Sequence, residues 1–92
     1  MALARAHVLV TGDVQGVGFR YAAQRIAKSH NLTGWVKNRP DGTVEAVFEG
    51  ERDSVEQMLQ WCRRGPSAAE VADVSVQWEQ PTGEFRDFRI VF

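Results

Sequence analysis

Residues 6–30 read AHVLVTGDVQGVGFRYAAQRIAKSH, and two hydrophobic periods meet inside that stretch. Ala6, Val8 and Val10 alternate with His7, Leu9 and Thr11, the pattern of a largely buried strand. Phe19, Ala22, Ala23, Ile26, Ala27 and His30 fall on one helical face at i, i+3, i+4, i+7, i+8 and i+11. Between them, Gly12-Asp13-Val14-Gln15-Gly16-Val17-Gly18 is a glycine-rich turn that opens directly into the helix. The helix is expected to stop near Asn31 or Leu32.

Working outward, Thr33 to Asn38 reads as a second strand and Thr43 to Glu49 as a third, with Val44, Ala46 and Phe48 on one face. Arg39-Pro40-Asp41-Gly42 joins them as a turn, Pro being pre-set for its second position and Gly free to take positive φ. A second helix follows. Asp53 is placed to cap it, Glu56 sits where a capping-box partner would, and Gly65-Pro66 ends it. Its apolar face is Val55, Met58, Leu59 and Cys62. Val74, Val76 and Trp78 alternate in a fourth strand, and Phe88, Ile90 and Phe92 in a short final one. The order is β-α-β-β-α-β with an extra short C-terminal strand. It predicts an α+β fold, a ferredoxin-like two-layer sandwich with two helices on one face of a mainly antiparallel sheet.

Ninety-two residues make one small domain, expected over 1–92, which buries roughly 60–65% of its unfolded surface. Hydrophobic residues are 43% and charged residues 25%, ordinary for a globular chain. Eleven Lys+Arg against 12 Asp+Glu give a net charge of −1, which argues against wrapping nucleic acid or adhering to anionic lipid. One cysteine, Cys62, excludes an intrachain disulfide and a Cys-rich metal site. Arg5 and His7 interrupt the N-terminal residues before an apolar run of about 7–15 can build, and no window approaches the ~18 that span a bilayer. A cytoplasmic protein, and a monomer, are expected.

The chemistry concentrates between Gly12 and Arg20. Successive backbone N–H groups in such a turn can converge on an anion, and the helix N-terminus adds free donors. Arg20 stands in the first helical turn, where a cation costs about 0.3–1 kcal/mol unless an anion is there to meet it. Its planar fork matches two phosphate or carboxylate oxygens. The same glycines would equally serve a tight turn beside a solvated Arg20. Neither the Walker spacing nor the Gly-x-Gly-x-x-Gly pattern is present. Asn38, just before the Arg39–Gly42 turn, offers an acceptor and two donors, as a turn-stabilising residue or as a holder of water. Asp13 could trim the local positive field or hydrogen-bond the turn.

Val10-Thr11-Gly12-Asp13-Val14-Gln15-Gly16-Val17-Gly18-Phe19-Arg20 resembles the first signature of the acylphosphatase family. Gly34-Trp35-Val36-Lys37-Asn38-Arg39-Pro40-Asp41-Gly42-Thr43-Val44, with Gly50 six residues on, resembles the second. The resemblance covers essentially the whole chain. It implies a hydrolase that cleaves the carboxyl–phosphate bond of acyl phosphates, without metal or organic cofactor, on a five-stranded ferredoxin-like sandwich. It also implies the roles. Backbone amides of Gln15, Gly16, Val17, Gly18, Phe19 and Arg20, with the Arg20 guanidinium, bind the phosphoryl group, and Asn38 positions the attacking water. Arg20 and Asn38 are the catalytic pair. Inorganic phosphate is implied as product and inhibitor.

Other classes fit less well. RNA-binding sheets of this kind expose aromatics on the third strand, whereas Gly42–Glu49 carries two acidic residues and one aromatic on the apolar face. Metal carriers of the fold need Cys-x-x-Cys, which is absent. A non-catalytic phosphate-binding or regulatory domain is the alternative that keeps the motif. His7, His30 and Cys62 read as structural residues, and Trp35, Trp61 and Trp78 as packing residues.

Overall fold

The computed structural model describes residues 2–92. Its elements are β1 (Leu3–Asp13), α1 (Phe19–Ser29), β2 (Thr33–Asn38), β3 (Val44–Glu51), α2 (Arg52–Arg64), β4 (Glu70–Glu79) and β5 (Phe88–Ile90). The strands form one sheet in the order β4-β1-β3-β2-β5. The β1–β3, β1–β4 and β2–β3 pairs are antiparallel, and β2–β5 is parallel. α1 lies over β2 and β5, while α2 lies over β1, β3 and β4. This is the ferredoxin-like sandwich that the element order predicts, with its fifth strand at the edge. Among the described residues no helix is long and apolar enough to cross a membrane.

The core lies between the sheet and the helices. Val8, Val10, Val36 and Val44 from the strands meet Phe19, Ala23, Val55 and Met58 from the helices, all fully or nearly fully buried. Phe88 anchors the short β5 strand: its ring stacks on Phe48 with centroids 5.3 Å apart. Burying a side chain of that size stabilises by about 1.5–3 kcal/mol, which three residues of pairing at a sheet edge require. α1 ends in a Schellman-type turn. Asn31 takes φ 58, its N–H donates to the Lys28 carbonyl, and that of Leu32 donates to the Ala27 carbonyl.

Three local expectations are corrected. Asp53 does not cap α2. The N-cap is Glu51, the strand runs straight into the helix, and the Arg52 N–H is satisfied by the Ala2 carbonyl at 2.8 Å. Glu56 accordingly pairs with Arg52 instead of closing a capping box. Phe92 lies beyond β5 and is 97% exposed. Trp78 is not core. It is 41% exposed on edge strand β4, beside Arg52, Glu56 and Leu59 of α2, and the Arg52 guanidinium covers its ring at 3.9 Å.

The helix-free face of the sheet is polar and laced with charge. Arg5 reaches Glu79 at 2.9 Å and Glu84 at 2.8 Å. Nearly buried Glu49 accepts from the Thr82 and Gly83 amides, which ties the 80–84 segment to β3. His7 lies between Glu45 (2.6 Å) and Glu79 (3.2 Å), linking β1 to β3 and β4. Cys62, as its place on the apolar face of α2 predicts, is fully buried.

Candidate active site

Two segments from different parts of the chain frame one cleft. The first is the turn between β1 and α1. Gly16 (φ 73) and Gly18 (φ 78) both take left-handed backbone conformations, which cost an L side chain about 1–2 kcal/mol. Gly18 is also the N-cap of α1 and supplies no side-chain cap. With no side chain at the cap and no acidic residue in the first turn, the first N–H groups of α1 keep their donor capacity and the positive end of the helix dipole. By contrast, α2 carries Asp53 in its first turn. Phe19 is buried and fixes the helix start to the core, against Trp61 at 5.2 Å. Arg20 therefore emerges from an anchored turn. Among the described residues no carboxylate pairs with its guanidinium, which lies near the rings of Phe92 (5.4 Å) and Tyr21 (6.0 Å).

The second segment is the β2–β3 hairpin. Asn38 is the last residue of β2 and pairs across with Val44. The turn beyond it is closed by Arg39 N–H to the Thr43 carbonyl at 2.9 Å and Gly42 N–H to the Arg39 carbonyl at 3.1 Å. The Thr43 hydroxyl and amide both donate to Asp41 Oδ1, and these bonds hold the Asp41 carboxyl below its usual pKa. The hairpin end is thus stiffened from within. Glu45 braces it from the open face by pairing with Arg39 at 3.1 Å. Burial pushes the Glu45 carboxyl up, but hydrogen bonds from His7 and Arg39 outweigh that and leave it lowered.

Val14, Gly16, Gly18, Phe19, Arg20, Tyr21 and Asn38 line a cleft of about 170 Å³. The Oδ1 of Asn38, one of these lining residues, is buried with no hydrogen-bond partner among the described residues. A buried acceptor left unpaired costs about 1–3 kcal/mol, so an unpaired one in a native site calls for a ligand or a bound water. The cleft brings together Gly16, Gly18, Phe19, Arg20 and Asn38 of the residues expected from the sequence. It does not include Gln15 or Val17. The Gln15 side chain turns to the hairpin, and Val17 packs against the core. Asp13 is exposed and outside the cleft, opposite Glu70 in the β1–β4 register. Two lining residues went unrecognised, Val14 and Tyr21. Tyr21 falls outside the helix's apolar period, and nothing local distinguishes it from a solvated tyrosine.

Neither a histidine nor a carboxylate lines this cleft, and among the described residues no three His, Cys, Asp or Glu side chains are grouped to hold a metal. What the site offers is backbone N–H donors, one guanidinium, one carboxamide and a tyrosine. That set suits an anion whose charge must be stabilised in place.

A family model described as Acylphosphatase matches residues 6–90. An acylphosphatase of Pelotomaculum thermopropionicum is 54% identical over 92 residues, covering 100% of both chains. One from Nostoc sp. is 60% identical over 88 residues, covering 96% of this chain and 86% of the other. The crystal structure of acylphosphatase from Bacillus subtilis superposes with a TM-score of 0.93 at 37% identity, over 99% of this chain and 100% of that one.

Proposed function

Since the chain belongs to the acylphosphatase family and hydrolyses acyl phosphates to a carboxylate and inorganic phosphate, we propose that the cleft between the Gly16–Arg20 turn and Asn38 is its catalytic site. Backbone N–H groups of residues 15–20 and the Arg20 guanidinium hold the phosphoryl oxygens. Asn38 Oδ1 accepts a hydrogen bond from the attacking water. The single observation that carries this reading is that Asn38, whose buried Oδ1 has no partner among the described residues, lines the same cleft as Arg20.

The chemistry asks for little else. The leaving group is a carboxylate, so no strong general acid is needed. The transition state spreads negative charge over the equatorial phosphoryl oxygens. Fixed amides and a guanidinium stabilise that charge without reorganising at the moment of reaction. The substrate phosphate itself takes the water's proton, a route that needs no carboxylate or histidine on the cleft. Hydrolysis without a metal ion suits this donor set, because the amides and the guanidinium supply the charge stabilisation. Residues 1–92 act as a single domain on this reading, and a cytoplasmic location suits a substrate made and consumed by metabolic enzymes.

The test is turnover of benzoyl or acetyl phosphate in the presence of a chelator, with inorganic phosphate as a competitive inhibitor. Expected is hydrolysis indifferent to the chelator and lost in Asn38→Ala. Turnover that survives in Asn38→Ala, or that needs a specific added metal, would refute the assignment.

A further inference from the structure

The Gln15 side chain makes a connection that phosphate binding by its backbone does not require. Its Nε2 lies 2.7 Å from the Arg39 carbonyl oxygen and 2.9 Å from that of Thr43. A carboxamide nitrogen carries two hydrogens, and both are used. Each of these oxygens already accepts one backbone bond within the turn, from Gly42 and Arg39 respectively. Gln15 therefore fills the remaining acceptor position of both. The two carbonyls belong to Arg39, which follows Asn38, and Thr43, which precedes its strand partner Val44. Among the described residues no other hydrogen bond joins residues 14–18 to residues 38–44.

We propose that Gln15 is a positioning residue for hydrolysis. By donating both carboxamide hydrogens to the hairpin, it fixes the spacing between the anion-binding turn and the strand end that carries Asn38. The inference rests on the reading that Asn38 orients the water. The turn's amides and Arg20 sit on one side of this brace and Asn38 on the other. Each half keeps its own structure without the brace: the turn by the buried Phe19 and Val14, the hairpin by its closing bonds and Asp41. What the brace sets is the distance between them. A misplacement of about 1 Å between reacting groups costs on the order of 10²-fold in rate.

The requirement is chemically narrow. Methionine has a similar length and no donor. Glutamate has the same shape but would bring oxygens against two carbonyl oxygens. Gln15→Met should lower kcat by about 10- to 100-fold, while the inhibition constant of inorganic phosphate moves by no more than about threefold. Gln15→Glu should be at least as slow. The deciding measurement is a double-mutant cycle on benzoyl phosphate turnover. In an Asn38→Ala background, Gln15→Met should change kcat by no more than about threefold, because the group it positions is gone. An equal loss of kcat in both backgrounds, a parallel loss of phosphate binding, or an unchanged kcat in Gln15→Met would each overturn the proposal. If Gln15→Glu does not fold, by far-UV circular dichroism, the methionine variant carries the test. Full activity in Asn38→Ala would overturn the water-positioning reading and this inference with it. That result is distinct from an inactive Asn38→Ala beside an active Gln15→Met, which sinks the inference alone.

Discussion

Arg20 and Asn38 line the same cleft, although Arg20 stands in the first turn of α1 and Asn38 closes β2. Among the described residues, a cation without a carboxylate partner thus shares a cleft with a carboxamide whose buried oxygen lacks a donor. Each makes sense beside an anion and a water, and the two residues are expected to fail differently when replaced.

Asn38→Ala should separate binding from turnover. Phosphate affinity should change by only a few-fold, since the amides and Arg20 remain. Turnover should fall by roughly 10²–10³, the scale for loss of one preorganised polar group. Asn38→Asp should be about as slow, because a carboxylate beside a phosphoryl anion in a partly desolvated cleft is a like-charge contact. If instead both variants keep kcat and only the melting temperature drops, Asn38 serves the hairpin alone.

Arg20→Lys should lower affinity and kcat together. Lysine keeps the charge but loses the planar fork. Losing one charge-assisted hydrogen bond, at about 1.5–3 kcal/mol, corresponds to roughly 10- to 100-fold. Steady-state kinetics with benzoyl phosphate check this, and near-normal kcat/KM would mean that charge alone matters at this position.

Gly16→Val should damage phosphate binding more than folding. A Cβ at Gly16 meets nothing within 4 Å, so the penalty comes from φ 73 and not from a clash. A β-branched side chain avoids that region, and the turn should relax away from the geometry that aims its amides. Competition by inorganic phosphate should weaken by about 5- to 30-fold, matching about 1–2 kcal/mol of backbone strain, while far-UV circular dichroism stays native-like. Unchanged competition would remove the turn amides from the phosphate site.

Stability should be greatest at mildly acidic pH. Burial pulls the His7 pKa down, but hydrogen bonds with Glu45 and Glu79 outweigh it and leave the imidazole above 6.5. A raised folded pKa contributes stability that is fully present below 6.5 and lost as pH rises through the folded value. Glu79, held below 4.5 by hydrogen bonds from Arg5 and His7, acts in the opposite sense: its contribution is present above 4.5 and lost as pH falls through its folded value. Urea midpoints at about pH 5.5 and about pH 8.5 should differ in the wild type and differ less in His7→Gln. Turnover of that variant should stay within a few-fold, since His7 does not line the cleft. An undiminished difference in His7→Gln would place the titration elsewhere.

What the sequence revealed divides by the range of the interaction. The bounds of β2, Thr33 to Asn38, coincide with the alternation and its flanking turn residues. The positive φ at Gly16 follows from glycine's place in the turn. Both are local. The start of α2 is not: its Arg52 amide is satisfied by Ala2 at the far end of the chain, and no pattern near Asp53 encodes that bond. His7 reads as structural from its alternation, but its partners Glu45 and Glu79 come from β3 and β4, so only strand register brings them to it. Likewise Gln15 looks like one more residue of a glycine-rich turn. Its bonds to Arg39 and Thr43 exist because the fold sets the turn beside the hairpin.

The buried thiol on α2 gives the molecule a built-in gauge of its own opening. Cys62 is the chain's one cysteine, and burial pushes its pKa up to about 12. The reactive species is the thiolate, so at neutral pH a labelling reagent finds almost none of it in the folded protein and no path to it. Alkylation must wait until α2 lifts from the sheet. Where reclosing outpaces reaction, the labelling rate equals the intrinsic thiol rate multiplied by the open population. A mass shift followed over time, without denaturant, would then read out how often the core comes apart.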